Sequence, residues 1–294
     1  MMASLDHTCL VCGHVGFEPH FDVLLRCPGC GFVTARLDER LVVGELYGGD
    51  YFTGGEYLDY LADEAFFRKN FHRRLAGLRR QCGGGRLLEI GAAYGFFLDL
   101  AREYYTAVGF ELNPDAVRHA QQVLGLDMRS VDFLAATPGD LGGPVDVTVM
   151  WDVIEHLERP DRVLAHIATL SRPGALLCLT TGDIGSSLAR LRGPKWRMIH
   201  PPSHLHYFDR GTITRMLANC GFRVVDVRAV GVARSVRQVL YSLLVLGMGM
   251  RRAYEAACRM VPIAWGFTLN TGDIMQVTAR LEPAVTSQSV YRGA

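Results

Sequence analysis

A bilayer-spanning helix needs about twenty consecutive apolar residues, and the best candidate here, Gln238 to Met250, offers only thirteen uncharged ones. Net charge is missing too, with 31 Lys and Arg against 30 Asp and Glu. That excludes a global field drawing in nucleic acid, so any such contact would rest on a local patch. The opening residues MMASLDHTCLVC lack the basic start and apolar run of a secretory signal. The expectation is a cytoplasmic protein with reduced thiols, whose eight cysteines read as metal ligands before disulfides. No internal repeat or low-complexity block interrupts the 294 residues, and a hydrophobic content of 49% is ample for a core.

A glycine is missing where it would be most informative. Arg86 to Ile90 is a short apolar run, Gly91 to Gly95 a small-residue turn, Phe96 to Tyr104 has helical spacing, and Ala107 to Phe110 is a strand ending on Glu111. A dinucleotide site normally reads G-x-G-x-x-G, since pyrophosphate sits on exposed amides at the helix start. Here Ala93 stands where the second glycine should fall. Glu89, two residues before the first glycine, would repel phosphate and welcome a cation. S-adenosylmethionine has a sulfonium, an ammonium and a ribose but no phosphate, and an acid such as Glu111 can accept both ribose hydroxyls.

On Leu87, Leu88, Glu89, Gly91 and Gly95 the stretch resembles the first motif of the class I S-adenosylmethionine-dependent methyltransferases, from which Ala93 departs. The resemblance implies an α/β fold with a Rossmann-like seven-stranded sheet. It also implies donor contacts from Glu89, Gly91, Ala92, Tyr94, Gly95, Glu111 and Leu112. Asp132 and Phe133 fall where the family reads adenine, with a plain loop acid as the other reading of Asp132. Trp151 or Asp152, at the carboxyl end of the predicted strand Val145 to Met150, would flank the adenosine and sulfonium.

Asp152, Glu155 and His156 also match an acid-x-x-Glu-His signature that resembles the ubiquinone-biosynthesis O-methyltransferases, where the triplet has been linked to a divalent metal. The bland alternative is a loop-orienting pair. Further on, Pro201-Pro-Ser-His-Leu-His-Tyr-Phe208 resembles the P-P-x-H-x-x-Y/F-F element of a subgroup found with glycan, antibiotic-sugar and quinone tailoring. Methyl transfer to a hydroxyl needs a proton acceptor, and histidine titrates near neutral pH. His204 is the favoured base, with His206 and His156 behind it, because His204 and His206 share one face if the segment is extended.

Two C-x-x-C pairs, Cys9/Cys12 and Cys27/Cys30, are each followed by glycine and predict a closed, structural Zn(2+) site of four thiolates. The expected organisation is a zinc ribbon over 1–40, an aromatic lid and basic helix over 41–82, and the methyltransferase domain over 83–282. That domain carries a helical insertion at 230–267, and a tail follows from 283 to 294. Tyr47, Tyr51 and Tyr60 are the lid's expected contact residues, and the run of arginines in Phe66 to Arg80 reads as a solvated face or a phosphate-binding one. Residues 238–252, bounded by arginines, allow peripheral contact with the inner membrane face, or else a buried helix, dimer contact or acceptor cover.

Three functions compete. The leading one is O-methylation, or less directly C-methylation, of a sugar or related polar metabolite carried free, on a nucleotide or on a lipid. The second is RNA base methylation, since zinc ribbons preceding this fold resemble some ribosomal RNA enzymes. A ubiquinone-type phenol O-methyltransferase is a variant of the first, and a non-catalytic scaffold is the third. The sequence is silent on the number of subunits.

Overall fold

The computed structural model describes residues 8–37 and 60–283. It opens with three short strands, β1 (Glu18–His20), β2 (Leu24–Arg26) and β3 (Val33–Ala35). Helix α1 (Glu64–Arg79) leads to the alternating core of β4 (Arg86–Ile90), α2 (Phe96–Ala101), β5 (Thr106–Phe110), α3 (Pro114–Gln122), β6 (Met128–Arg129), β7 (Val145–Trp151), α4 (Pro160–Leu170) and β8 (Ser171–Gly182). After α5 (Ser187–Arg192) come β9 (His206–Tyr207), α6 (Arg210–Asn219) and β10 (Phe222–Ala229). The insertion comprises β11 (Val232–Ser235), α7 (Val236–Leu240), a π-helical turn at Tyr241–Leu246, α8 (Arg251–Met260) and β12 (Gly266–Leu269), before the closing strand β13 (Ile274–Leu281).

Seven strands form the central sheet in the order β10-β13-β8-β7-β4-β5-β6, with β13 antiparallel to both neighbours. This is the predicted Rossmann-like seven-stranded sheet. Buried residues of α1, α2 and α3 pack on one face through Leu87, Val147 and Val149. Those of α4 and α6 pack on the other through Leu88, Ile90 and Met150. Burial on both faces explains why these strands read as continuous apolar runs. Strand order reverses between β4 and β7, so the crevice at their carboxyl ends is where such a fold accepts ligands.

Local chemistry sets the boundaries. Asn113 caps α3, its side chain accepting from the Asp115 and Ala116 amides, with Pro114 at the first turn. Asp209 and Thr212 form a reciprocal capping box at α6. The predicted strand over Leu126 to Val131 is shortened to β6, because Asp132 turns the chain into a 3-10 turn by accepting from Leu134 N–H at 3.0 Å.

The cysteine module is joined to the core. Strand β3 pairs antiparallel with β9, extending a four-stranded sheet β1-β2-β3-β9, and Thr34 Oγ1 donates to Leu205 O at 2.9 Å. Val11, Phe17, Leu25 and Phe32 share a continuous buried cluster with α4 and α6, and Asn219 donates to Val11 O at 2.8 Å. The module therefore braces the segment carrying the histidines.

Candidate active site

A cleft of about 1450 Å³ opens at the carboxyl ends of β4, β5 and β7. Single small-molecule sites occupy some 300–1,000 Å³, so there is room for two reactants. Its first end is built from backbone geometry. Gly91 and Gly95 adopt φ of 70° and 81°, and Ala93 is also left-handed at 47°. A side chain on Gly91 would meet Val153 Cγ2 at 2.5 Å, so the turn demands glycine there. Ala93, in the position where the resembled motif has glycine, tolerates the strained conformation with Glu111 Oε2 accepting its amide at 2.9 Å. Glu111 Oε1 accepts from Asn113 N–H at 2.9 Å, so one carboxylate ties the turn to the start of α3.

Gly91, Glu111, Leu112, Asp132, Phe133, Trp151 and Asp152 line the cleft together, as do His156 and His204. Ala92, Tyr94, Gly95, Glu89 and His206 are not part of that lining. Glu89 is buried within β4, its Oε2 without a hydrogen-bond partner. Burial, and then the Glu111 charge, push its carboxyl well above the usual carboxylate range, while Arg74 acts in the opposite sense. Glu111 is likewise raised, chiefly by burial. Tyr94 is buried in an aromatic stack with Tyr60, whose ring centroid is 5.6 Å away and which does line the cleft. Tyr47 and Tyr51 lie outside the described residues.

Arg74 is the residue that sequence reasoning missed. Its guanidinium lies 4.8 Å from the Trp151 ring centroid and pairs with Asp152 Oδ2 at 3.4 Å, inside the cleft. The signal was present in α1: Phe67, Phe71, Arg74 and Leu78 follow helical spacing, which puts an arginine on the apolar stripe. Nor is the rest of α1 simply a solvated face, since Arg68 bridges Glu64 and Asp99. Asp152 sits left-handed at φ 58° and donates its amide to Thr180 O and Oγ1 at 3.1 and 3.0 Å. Strain of this kind is held where surrounding bonds over-determine it, here at the tip of β7.

The second end is made of side chains from distant segments. His204 packs against His200 and His156, with ring centroids 3.8 and 4.7 Å apart. Possible ligand atoms of Glu155, His156 and His204 all lie within 4.8 Å of one another. Both Glu155 oxygens lack hydrogen-bond partners, and burial, followed by the Asp152 charge, pushes that carboxyl up to about 8. His156 Nδ1 is 2.8 Å from Ser203 O. A carbonyl only accepts, so Nδ1 carries the proton and Nε2 is the basic nitrogen of the neutral ring. Burial lowers His156 to about 4 and holds His204 well below its usual range, with His156 and His200 adding to the latter.

His204 and His206 do not share a face. Regular strand begins only at His206, so the alternation expected of an extended segment does not reach back to His204. His206 instead faces the cysteine module, near Thr34 Oγ1 at 3.2 Å, Glu158 O at 3.3 Å and the Phe32 ring at 5.5 Å. The loop is pinned from below by the fully buried Asp273, which accepts from Trp196 Nε1 at 2.8 Å and Arg197 Nη2 at 3.2 Å.

The four module cysteines converge. Cys9 and Cys30 Sγ are 3.6 Å apart, as are Cys12 and Cys27, and all four sulfurs fall within 4.8 Å. A tetrahedral zinc with Zn–S of about 2.3 Å requires sulfurs about 3.8 Å apart, so the set is compatible with zinc. Each pair closes the same knuckle, Gly13 N–H donating to Cys9 O at 2.9 Å and Gly31 N–H to Cys27 O at 2.8 Å. Backbone amides of Val11 and Cys12 face the Cys9 sulfur, and that of Phe32 faces Cys30.

Comparison with known proteins agrees with this geometry. A family model described as a methyltransferase domain matches residues 60–227. A relative from Mycolicibacterium smegmatis, described as a "Probable S-adenosylmethionine-dependent methyltransferase", is 24% identical over 180 residues, spanning 60% of this chain and 67% of that one. Among solved structures, a SAM dependent methyltransferase from Archaeoglobus fulgidus superposes with a TM-score of 0.50 at 20% identity, covering 75% of this chain and 98% of that one. A magnesium protoporphyrin IX methyltransferase from Synechocystis PCC 6803, with bound SAH, gives 0.44 at 15% identity, covering 74% and 83%.

Proposed function

The chain belongs to the methyltransferase-domain family and is an S-adenosylmethionine-dependent methyltransferase, and from that premise we propose that it methylates a hydroxyl on a sugar or related polar metabolite, carbon being the less favoured acceptor atom. The observation carrying this reading is the cluster of Glu155, His156, His200 and His204 beyond Trp151 in the same cleft. The donor, when bound, supplies an electrophilic methyl on a cationic sulfur. Glu111 and Asp132 offer acceptors suited to its ribose and adenine amine, Phe133 a ring face, and Asp152 a negative charge. Glu89, buried behind the turn, adds a second only once the cationic donor displaces its proton.

The protein's residues then have two tasks. Alignment is the larger, since a well-oriented pair of reactants can gain about 7–11 kcal/mol over free encounter. The second is removal of the acceptor's proton. His204, neutral at physiological pH because it is buried, is able to receive it. Glu155, held protonated near neutrality by its own burial, balances the resulting imidazolium only by giving up that proton in turn. Arg162 and Arg192 line the same cleft and suit an acceptor carrying phosphate, whether nucleotide- or lipid-linked.

A divalent cation is a second reading of the same cluster, favoured by the partnerless Glu155 oxygens and the short separation of Glu155, His156 and His204 ligand atoms. It differs from the sequence signature by exchanging Asp152, which pairs with Arg74, for His204. Such a cation would acidify an acceptor hydroxyl, as suits a ubiquinone-type phenol substrate. RNA methylation loses Arg68 and Arg74 of the basic run, both already engaged by acids. The cysteine set is suited to a structural zinc, all four positions being sulfur.

The test is labelled methyl transfer onto candidate acceptors with mass spectrometry of the product. A methyl ether on a sugar-type acceptor is expected. Transfer confined to RNA bases, or to amines, would sink the proposal, and loss of transfer on chelation with zinc retained would favour the cation reading.

A further inference from the structure

The insertion lines the cleft wall on one side and presents an outer surface on the other. Leu243, Met248, Met250, Met260, Ile263, Trp265, Phe267 and Leu269 are all exposed, a concentration of large apolar side chains within one short part of the chain. Monomeric surfaces seldom carry such a patch without a partner. Between Val230 and Gly272 the sequence has five arginines and one acid, Glu255. On α8 the exposed Arg252 and Arg259 lie on one stripe, while the exposed Arg251 sits about a quarter turn away and approaches Glu255 at 3.5 Å.

This surface is held in place. Asn70 on α1 pairs with both backbone groups of Ala233, donating at 3.0 Å and accepting at 2.7 Å. Gly266 lies so close to Phe66 that a Cβ there would fall 2.0 Å from the ring. Arg237, expected from the sequence to flank a membrane face, turns inward and caps α8 by donating to Cys258 O and Val261 O. The apolar surface is therefore preformed, and it is continuous with the cleft: Leu243, Phe267 and Leu269 are exposed and also line the cleft wall.

We propose that this surface, from Met248 through the β11–β12 hairpin, docks on an anionic phospholipid bilayer and presents the mouth of the cleft to it. The chemistry on both sides agrees. Exposed methionines, Ile263 and Phe267 suit the acyl boundary, Trp265 suits the headgroup level, and the arginine stripe meets anionic headgroups. No helix among the described residues is long and apolar enough to cross a membrane, so the contact is peripheral. An acceptor attached to lipid would then enter the cleft without leaving the bilayer. Docking itself does not depend on the proposed methyl transfer, and it is tested without turnover.

Of the three tryptophans, Trp151 and Trp196 are buried while Trp265 is 59% exposed, so intrinsic fluorescence reports on this surface directly. The full chain is mixed with vesicles of phosphatidylcholine alone and of phosphatidylcholine with phosphatidylglycerol, then floated on a density gradient. Co-flotation with the anionic vesicles is expected, with a blue shift of emission and protection of Trp265 from acrylamide, weakened by salt. The pairs Ile263→Ser with Trp265→Ser, and Arg252→Glu with Arg259→Glu, should each lower vesicle partition at least tenfold while donor binding by calorimetry is kept. Absence of flotation and of any spectral shift in the unaltered protein overturns the proposal. So does self-association in solution that the same substitutions abolish, which would make the patch a contact between two copies.

Discussion

The two ends of the cleft are built by different means. At the donor end, position follows mainly from backbone: a sheet edge, the turn at Gly91 to Gly95 and a helix cap lie within residues 86–115. Asp132, Phe133, Trp151 and Asp152 join them from the ends of the next two strands. The acceptor end draws Glu155 and His156 from one loop, His200 and His204 from another, and its outer wall from the insertion, with the cysteine module as a brace. Local construction suits a ligand that stays the same, and assembled construction suits one that varies. Substitutions should therefore separate the two ends cleanly, and any that fail to do so break the comparison.

The largest separation is expected for His204→Ala. Loss of a general base typically lowers turnover by 10²–10⁴, while donor affinity by calorimetry should change less than about twofold. Unchanged turnover would remove His204 as base. Next comes the module: elemental analysis should find one zinc per chain, and Cys27→Ser should lower the melting temperature by several degrees, consistent with the loss of a few kcal/mol. It should also depress turnover more than donor binding, because β9 loses its partner strand. Equal losses at both ends would show that the brace serves the whole fold.

At the donor end, Gly91→Val should weaken donor binding at least tenfold, since the added side chain would displace Val153 from the cleft wall. A pH series sharpens the point. Burial and Glu111 raise the Glu89 carboxyl, so the free protein holds a proton there that a cationic donor would expel. Binding that releases a proton strengthens as pH rises, by at most about tenfold per unit, until Glu89 ionises unaided. For stability the sign is opposite. The raised carboxyl contributes fully below the unfolded value of 4.5 and is lost as pH climbs through the folded one. Glu89→Gln should flatten both slopes. The smallest effect is that of Ala93→Gly, which relieves a left-handed alanine at some entropic cost and should move stability by no more than about 1 kcal/mol.

The same contrast decides what could be read in advance. The β4–turn–α2–β5 unit, the Asn113 cap and the four cysteines are local patterns, and the structure forms each of them. Asp132 was half legible, its lining position foreseen and its capping of the next turn only allowed for. Arg74 was hidden because a run of arginines looks uniformly solvated until one of them meets Trp151 and Asp152 across the fold. His206 was misplaced relative to His204 because an extended segment was assumed where a turn precedes the strand. In each case the missing information is a contact across long sequence separation, which periodicity does not encode.

The pairing of β3 with β9 has a consequence for how the chain is made. Thr34 and Leu205 are 171 residues apart, so at 5–20 residues per second the ribosome needs on the order of ten to thirty seconds to deliver the partner after β3 has emerged. Throughout that interval the newborn cysteine module presents an open strand edge, the kind of edge that invites mispairing with a neighbouring chain. Supply of metal during synthesis, and not only afterwards, should thus govern how much usable enzyme a cell obtains.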